Sequence, residues 1–455
     1  MTVGDNEKEL FTRMREQYDY LPYPESEIHL FPSSLEQLYI HSLVTPYYLR
    51  YQAVINTADK IILDAGCGSG MQALALAAAN PGAKIIGVDL SEKSIELARQ
   101  RFDYHQIPNA EFYAISLEDI SSLGYQYDLI NCDEVLYLLP DPGETLKLFQ
   151  SILSPHGIIR ANLHSYHQRR EYYRVQELLK FIGIADEESV ETALFLTKET
   201  VEHLKDDTRM RIFYQDYADN KLQVTGSQSK EKMLDEWIFM NYLLRGDQGY
   251  TIPELFAFIE NADLDFLSMV NWRHWNLLDL FRDQQNLPLF WQLSLESASD
   301  MEKLHIYELL NPVHRLLDFW CVQPSEQNYP LSPVTWDAAN WEKCVVHLHP
   351  VLKQEFIQQQ VLRACNNRES LDFSQYIKLN TLNPVIVDCE WLACLISLWD
   401  CPQTFPTLLD RWLKIQPLSL TSLAPKSLEQ GAQELQELLS KLEFFTFLLL
   451  ELESH

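Results

Sequence analysis

Between Lys60 and Glu92 the chain reads KIILDAGCGSGMQALALAAANPGAKIIGVDLSE. A run of branched apolar residues leads into three glycines at alternate positions, Gly66, Gly68 and Gly70. An alanine- and leucine-rich stretch follows, and then a second apolar run, KIIGVD, that stops at Asp89. Buried strand, glycine turn, helix and buried strand make a βαβ unit, which commits its two strands to lie parallel with the helix crossing one face. No other stretch restricts the fold as much. Similar apolar runs recur at AEFYAI (110–115), YDLINC (127–132) and GIIRANL (157–163), with helix-length segments between them. Strands alternating with helices predict an α/β fold with a doubly wound, Rossmann-like parallel sheet. Ser91, just ahead of EKSIELA, is the expected N-cap of the second helix.

Glycine usage divides the chain. Nine of the 14 glycines fall at or before Gly157, and tight βα turns need glycine where helical bundles do not. The front therefore reads as α/β and the back as mainly α. Residues 46–163 form the sheet domain, which resumes at 250–275 in YTIPELFAFIENADLDFLSMVNW. Residues 164–249, rich in aromatics and charge, read as a helical insertion that lids the substrate site. Residues 276–455 read as a mainly helical C-terminal domain for substrate or partner recognition. Its helical patterns include LHIYELLNPVHRLLDFW and the FFTFLLLELE run, taken as a buried helix end. Ahead of the sheet, residues 1–45 carry REQYDYLPYPE, an extended aromatic and proline segment expected to pack on the catalytic domain. Tyr18, Tyr20 and Tyr23 of this segment are candidates to shape the substrate entrance.

Charge excludes one class of partner. The chain has 65 Asp and Glu against 36 Lys and Arg, a formal net charge of −29, a field that repels phosphate backbones, so no nucleic acid partner is expected. No apolar run approaches the roughly 18–20 residues that span a bilayer, so no membrane partner is expected either. The eight cysteines are scattered, with no CxxC pair, which fits a cytoplasmic protein with reduced thiols and signals no zinc site. His347 and His349 sit two apart, but no third ligand is in register, so no metal is expected.

The glycine spacing narrows the ligand. Met71 stands where a dinucleotide fingerprint needs its third glycine, and no G-K-[ST] follows, so a P-loop is excluded. D-A-G-C-G-S-G resembles motif I of the class I S-adenosylmethionine-dependent methyltransferases. The resemblance covers residues 45–163 and, more loosely, 250–272. It implies that the loop of Asp64, Gly66, Cys67, Gly68 and Gly70 cradles the amino-acid part of S-adenosylmethionine. It further implies that Asp89 holds the ribose hydroxyls with Leu90 beside it. Ser116 stands where the family has an acid for the adenine amino group, and Leu117 would pack on the ring. NCDEVLYLLPDP resembles the segment under the cofactor, placing Asn131 to Glu134, with Asp133, near the transferred methyl.

For catalysis the candidates at the open end of the sheet are Asp133 and His164, because a weak nucleophile needs its proton removed. The N-D-P-P-Y motif of many amino-group and amide methyltransferases is absent. The N-terminal Y-P-Y-P segment and long helical C-terminal region resemble a bacterial methyltransferase group, with a cyanobacterial branch nearest. A methyl transfer to nitrogen or oxygen of an acceptor is the implied activity. The size of the C-terminal region favours a protein side chain. The alternatives are a small-molecule methyltransferase with a closed lid, or a cofactor-binding regulatory or scaffold protein. Acceptor and oligomeric state stay open.

Overall fold

A computed structural model describes residues 12, 15, 27–187, 189–221, 230–325, 332–419 and 421–453. Tyr18, Tyr20 and Tyr23 lie outside the described residues. Five parallel strands form the front: β1 (Ile61–Ala65), β2 (Lys84–Asp89), β3 (Ala110–Ala114), β4 (Tyr127–Cys132) and β5 (Leu153–Ser165). The sheet runs β3-β2-β1-β4-β5-β8-β7, where β7 is Asp265–Met269 and β8 is Leu316–Val322; a two-residue β6, Gly249–Tyr250, also pairs β5. Strand order reverses between β1 and β4. In an open α/β sheet, that switch point, at the carboxyl ends of the strands, is where a crevice for ligand forms.

The first turn is built as its residues demand. Gly66, Gly68 and Gly70 all have positive φ, at 81°, 50° and 83°, a region that costs a residue with a Cβ. Gly70 caps the helix Met71–Ala79, and Ser91 caps Glu92–Tyr104, its Oγ accepting from the Ser94 amide at 3.1 Å.

Two expectations need correction. The sheet does not close at residue 275. β8 is inserted between β5 and β7 and runs antiparallel to both. The stretch read as one helical pattern, 304–320, is a helix only over Asp300–Leu310. Pro312 lacks the amide a further turn requires, and the chain re-enters the sheet as the aromatic-rich strand LLDFWCV. The C-terminal region also has strands of its own. FFTFLLLELE is not a helix end alone: the helix Leu428–Phe444 stops, Thr446 takes φ 52°, and Leu448–Leu452 is a strand. It pairs antiparallel with β9 (Cys344–Leu348), whose other edge pairs Gln403–Thr404. Leu448, Leu449 and Leu450 are almost fully buried there, and Leu448 and Leu450 join a core formed by the C-terminal helices.

The helices Leu35–His41 and Val44–Tyr51 tie the two cores together. Tyr39 is buried among C-terminal residues with its hydroxyl 2.8 Å from Thr446 Oγ1, and Tyr48 donates to Glu443 at 2.8 Å. On the other side, Asn80 of the sheet domain donates to the His41 carbonyl and accepts from the Leu43 amide, both at 2.8 Å. His349 Nε2 lies 3.1 Å from Thr45 Oγ1, while His347 faces Glu451, so the two histidines serve different partners. Among the described residues no cluster of three metal-ligating side chains occurs.

The insertion is helical as expected, with Tyr166–Phe181, Val190–His203, Arg209–Asp216 and Lys230–Ile238. Its Val175, Leu179, Trp237, Phe239 and Tyr242 belong to the same apolar core as the sheet.

Candidate active site

A cavity of about 650 Å³ opens at the carboxyl ends of the parallel strands. The glycine turn contributes Gly66, Cys67 and Gly68, β2 ends on Asp89 and Leu90, and the segment after β3 adds Ile115, Ser116 and Leu117. Asp133, Glu134 and Val135 follow β4, and the helix Pro142–Ile152 supplies Glu144, Thr145 and Leu148. Eight of the ten residues expected to bind the cofactor therefore meet on one wall. The other two lie behind it. Gly70 is buried where a Cβ would stand 2.8 Å from Ala98 Cβ, so it serves close helix packing. Asp64 is 2% exposed beneath the loop.

Asp89 is fixed at the cavity by the backbone on both sides of it. Its Oδ2 accepts from the Gly68 amide and its Oδ1 from the Ser91 amide, both at 2.9 Å. Gly66 brings the loop against the far wall: a Cβ on it would lie 2.4 Å from Val135 Cγ2. Ser116 caps the following turn, its Oγ accepting from the Glu118 amide at 3.4 Å. Asp64 accepts from Asn131 Nδ2 at 2.8 Å through Oδ1, while its buried Oδ2 has no partner. Burial pushes the Asp64 carboxyl up to about 7.

The lining is one-signed. Asp89, Glu118, Asp133, Glu134, Asp141 and Glu144 face the cavity, and no Lys, Arg or His lines it among the described residues. Such a wall favours a cationic ligand.

The two catalytic candidates are placed differently from expectation. Asp133 lines the cavity, but its Oδ1 accepts from Arg160 Nη2 at 3.2 Å and Asn162 Nδ2 at 2.5 Å. Burial pushes its carboxyl up, and Arg160, with help from Asn162, outweighs that and holds it below the usual carboxylate range. A carboxylate so held is a poor proton acceptor. Arg160 in turn grips Asp318 of β8 with Nε at 3.1 Å and Nη2 at 2.8 Å.

His164 does not line the cavity. It is 1% exposed, stacked on Tyr137 with ring centroids 3.6 Å apart, and both its nitrogens are engaged. Nδ1 lies 2.7 Å from Asp247 Oδ1 and Nε2 lies 3.0 Å from Arg315 Nη1. A guanidinium only donates, so Nε2 carries the lone pair and Nδ1 the proton. Burial lowers the imidazole pKa, which keeps this neutral tautomer. Its lone pair is spent on Arg315, so it is not a base for the acceptor.

The resemblance places Glu134 near the transferred methyl, but nothing in the sequence joins it to Arg315, or His164 to Asp247. Glu134 is a non-glycine residue at φ 60°, a backbone state concentrated at functional sites. Its carboxylate takes the Arg315 fork, with Nη1 on Oε2 at 3.0 Å and Nη2 on Oε1, and the Tyr137 hydroxyl on Oε2 at 2.8 Å. A lone arginine preceding an apolar run was the available signal for Arg315. Nothing local marks the left-handed turn at Glu134.

A doubly wound sheet, a glycine turn with three positive-φ glycines and an acid closing β2 define a nucleoside-cofactor domain of the methyltransferase type. Comparison with known proteins agrees: residues 56–234 match the family model described as a methyltransferase domain. This part of the chain is a class I S-adenosylmethionine-dependent methyltransferase domain. A ubiquinone biosynthesis O-methyltransferase of Acinetobacter baylyi is 35% identical over 101 residues, 22% of this chain and 42% of that protein. A Synechococcus protein, syc1184_c, is 28% identical over 254 residues, 55% of this chain and 57% of that one. The chain thus spans about half the length of these curated relatives. In fold it resembles PKMT2 from Rickettsia typhi, with a TM-score of 0.56 at 19% identity over 93% of this chain and 77% of that one.

S-adenosylmethionine is the cofactor of this class, and the residues present fit it. The unpartnered buried Oδ2 of Asp64 and a cavity lining of six carboxylates without a cation among the described residues suit a ligand bearing an ammonium and a sulfonium. Leu90, Ile115 and Leu117 offer apolar surface for a purine ring.

Proposed function

We propose that the chain is an enzyme that transfers a methyl group from S-adenosylmethionine to a nitrogen or oxygen of an acceptor, with a protein side chain as that acceptor. The observation that carries the reading is the cavity at the strand ends, where the glycine turn, Asp89 and a ring of six carboxylates converge. When bound, the cofactor supplies an electrophilic methyl on a sulfonium, whose bond to sulfur breaks as the acceptor bond forms. The chain's own work is to hold and to exclude. Asp89 would take the ribose hydroxyls, Asp64 the amino-acid end, and Leu117 the adenine face. Positioning of this kind supplies much of the rate in a displacement that needs alignment.

Two features favour a protein acceptor over a small molecule under a closed lid. No described residue of the insertion, 164–249, lines the cavity. The C-terminal region has an apolar core of its own, from Trp336 to Leu450, much larger than a cavity wall requires. A carboxylate wall also concentrates basic side chains, which favours nitrogen over oxygen.

The test is thermal unfolding with S-adenosylmethionine, S-adenosylhomocysteine and NADH, on the wild type and Asp89→Ala. Ligand at about 100 times its dissociation constant adds about 2.7 kcal/mol. The expected result is a rise of several degrees with the two sulfur ligands, lost in Asp89→Ala and absent with NADH. Tritiated methyl should then appear in acid-precipitable protein of a lysate and not in its small-molecule fraction. Binding without any transfer would favour a regulatory, non-catalytic role.

A further inference from the structure

The residue after Asp133 points to a division of labour on the acceptor side. Glu134 sits on the cavity wall with its side chain 22% exposed. Its backbone is turned left-handed, and its amide donates to Asn162 Oδ1 at 2.8 Å, which fixes that turn. The acceptor capacity of the carboxylate is then countable. Oε2 takes Tyr137 and Arg315 Nη1, and Oε1 takes Arg315 Nη2. Of four lone pairs one is left, on Oε1.

Arg315 is itself aimed. Its Nη1 donates to His164 Nε2 at 3.0 Å, and Asp247 holds the His164 proton on the other side of the ring. Asp247 is locked by Arg169 at 3.1 Å and Gln176 at 2.8 Å. A chain from Asp247 through His164 to Arg315 thus sets the fork on Glu134, and a fork fixes a carboxylate in plane and direction as a single lysine contact does not.

We propose that Glu134 is the specificity-determining residue of the acceptor site, offering its last lone pair to one N–H of an incoming amine, and that Arg315 is its positioning partner. The inference rests on the methyltransferase reading above. Arg315 has a second effect. An amine attacks only with its own lone pair free, and a bare carboxylate would hold it as an inert ammonium. The guanidinium cancels most of that charge while leaving the directional contact. Glu134 then orients the nitrogen without trapping its proton.

The test compares two cofactor analogues by titration calorimetry at pH 8. S-adenosylhomocysteine has a neutral thioether at the transfer position, and sinefungin has a carbon bearing an ammonium there. All other contacts are shared, so the ratio of their affinities isolates what the wall offers a cation. The wild type should prefer sinefungin by about tenfold, the size of one charge-assisted hydrogen bond. Glu134→Gln should bring the ratio close to one with the homocysteine affinity unchanged. Arg315→Met should raise the ratio above wild type, because the carboxylate is no longer neutralised, and Arg315→Lys should return it towards wild type. Variants that merely loosened the wall would move the ratio the same way, and that outcome overturns the proposal, as does a ratio indifferent to Glu134→Gln. If Glu134→Gln does not fold, Arg315→Met decides alone: Arg315 is 46% exposed, and an unchanged or lowered ratio sinks the idea. Failure of both ligands to bind the wild type would instead remove the methyltransferase reading on which the proposal stands.

Discussion

Asp133 and Glu134 are neighbours in the chain, and each carries an arginine, yet the two ion pairs are different objects. Asp133 shares Arg160 with Asp318, and the three side chains are only 5–14% exposed. Glu134 holds Arg315, which is 46% exposed. Both carboxylates line the cavity, but Asp133 is tied down by Arg160 and Asn162, whereas Glu134, on a left-handed backbone, meets Arg315 and Tyr137. The buried set holds the antiparallel β8 in the sheet. Glu134 of the half-open set lines the cavity. Adjacent residues of like charge are thus divided between a buried partner and a half-exposed one.

The comparison breaks first on stability. Replacing Arg160 by Met leaves two carboxylates buried without their cation, and removing one partner of a buried pair costs about 3–5 kcal/mol. The urea midpoint of Arg160→Met should fall accordingly. A loss under about 1 kcal/mol, the range of exposed pairs, would mean that the buried cluster does not secure β8.

How far the sequence showed these two sets follows from how local their causes are. The glycine turn was readable because its three positive-φ positions lie within five residues and end in a helix of alanines and leucines. Asp89 was readable because it closes the next strand at a fixed distance. Arg160 and Asp318 meet across 158 residues, and Glu134 and Arg315 across 181. Those distances are bridged by the insertion and by the return of β8, an antiparallel strand that the βαβ rule does not anticipate. His164 was seen as a residue at a strand end, which is correct. Both its ring nitrogens are engaged by Asp247 and Arg315, and both of these are remote in sequence. The strand Leu448–Leu452 was hidden because a short apolar run has no period that separates a buried helix from a buried strand.

A second test sharpens the contrast through pH. Asp64 sits beneath the same wall, and burial raises its carboxyl from 3.8 to about 7. Between those values the folded state binds a proton that the unfolded state has released. Stability from this group therefore falls as pH rises through that window and is level above it. Asp64→Asn removes the slope. Relative to wild type, the variant should gain on the order of 2 kcal/mol between pH 5 and pH 8 in urea unfolding. A difference constant with pH would mean that Asp64 is ionised in the fold. Asp133, at the end of the adjacent strand and held below the usual range by Arg160, contributes no slope in that window.

The smallest expected effect is the most telling. Arg315→Met should cost at most about 1 kcal/mol, because a half-exposed pair gains little from solvent-screened attraction and pays side-chain entropy to form. The same substitution is expected to shift the preference between ammonium-bearing and neutral ligands. Small in stability and visible in recognition is the signature of a side chain kept for its effect on the cavity. A loss as large as that of Arg160→Met would reverse the assignment. Arg315 would then be a second strut for β8, entering the sheet one residue before Leu316, with its carbonyl accepting from the Ser165 amide at 2.9 Å. The backbone contact exists in either case and survives the substitution. Unfolding by urea therefore measures what the guanidinium adds to it, and the two readings differ by several-fold in that one number.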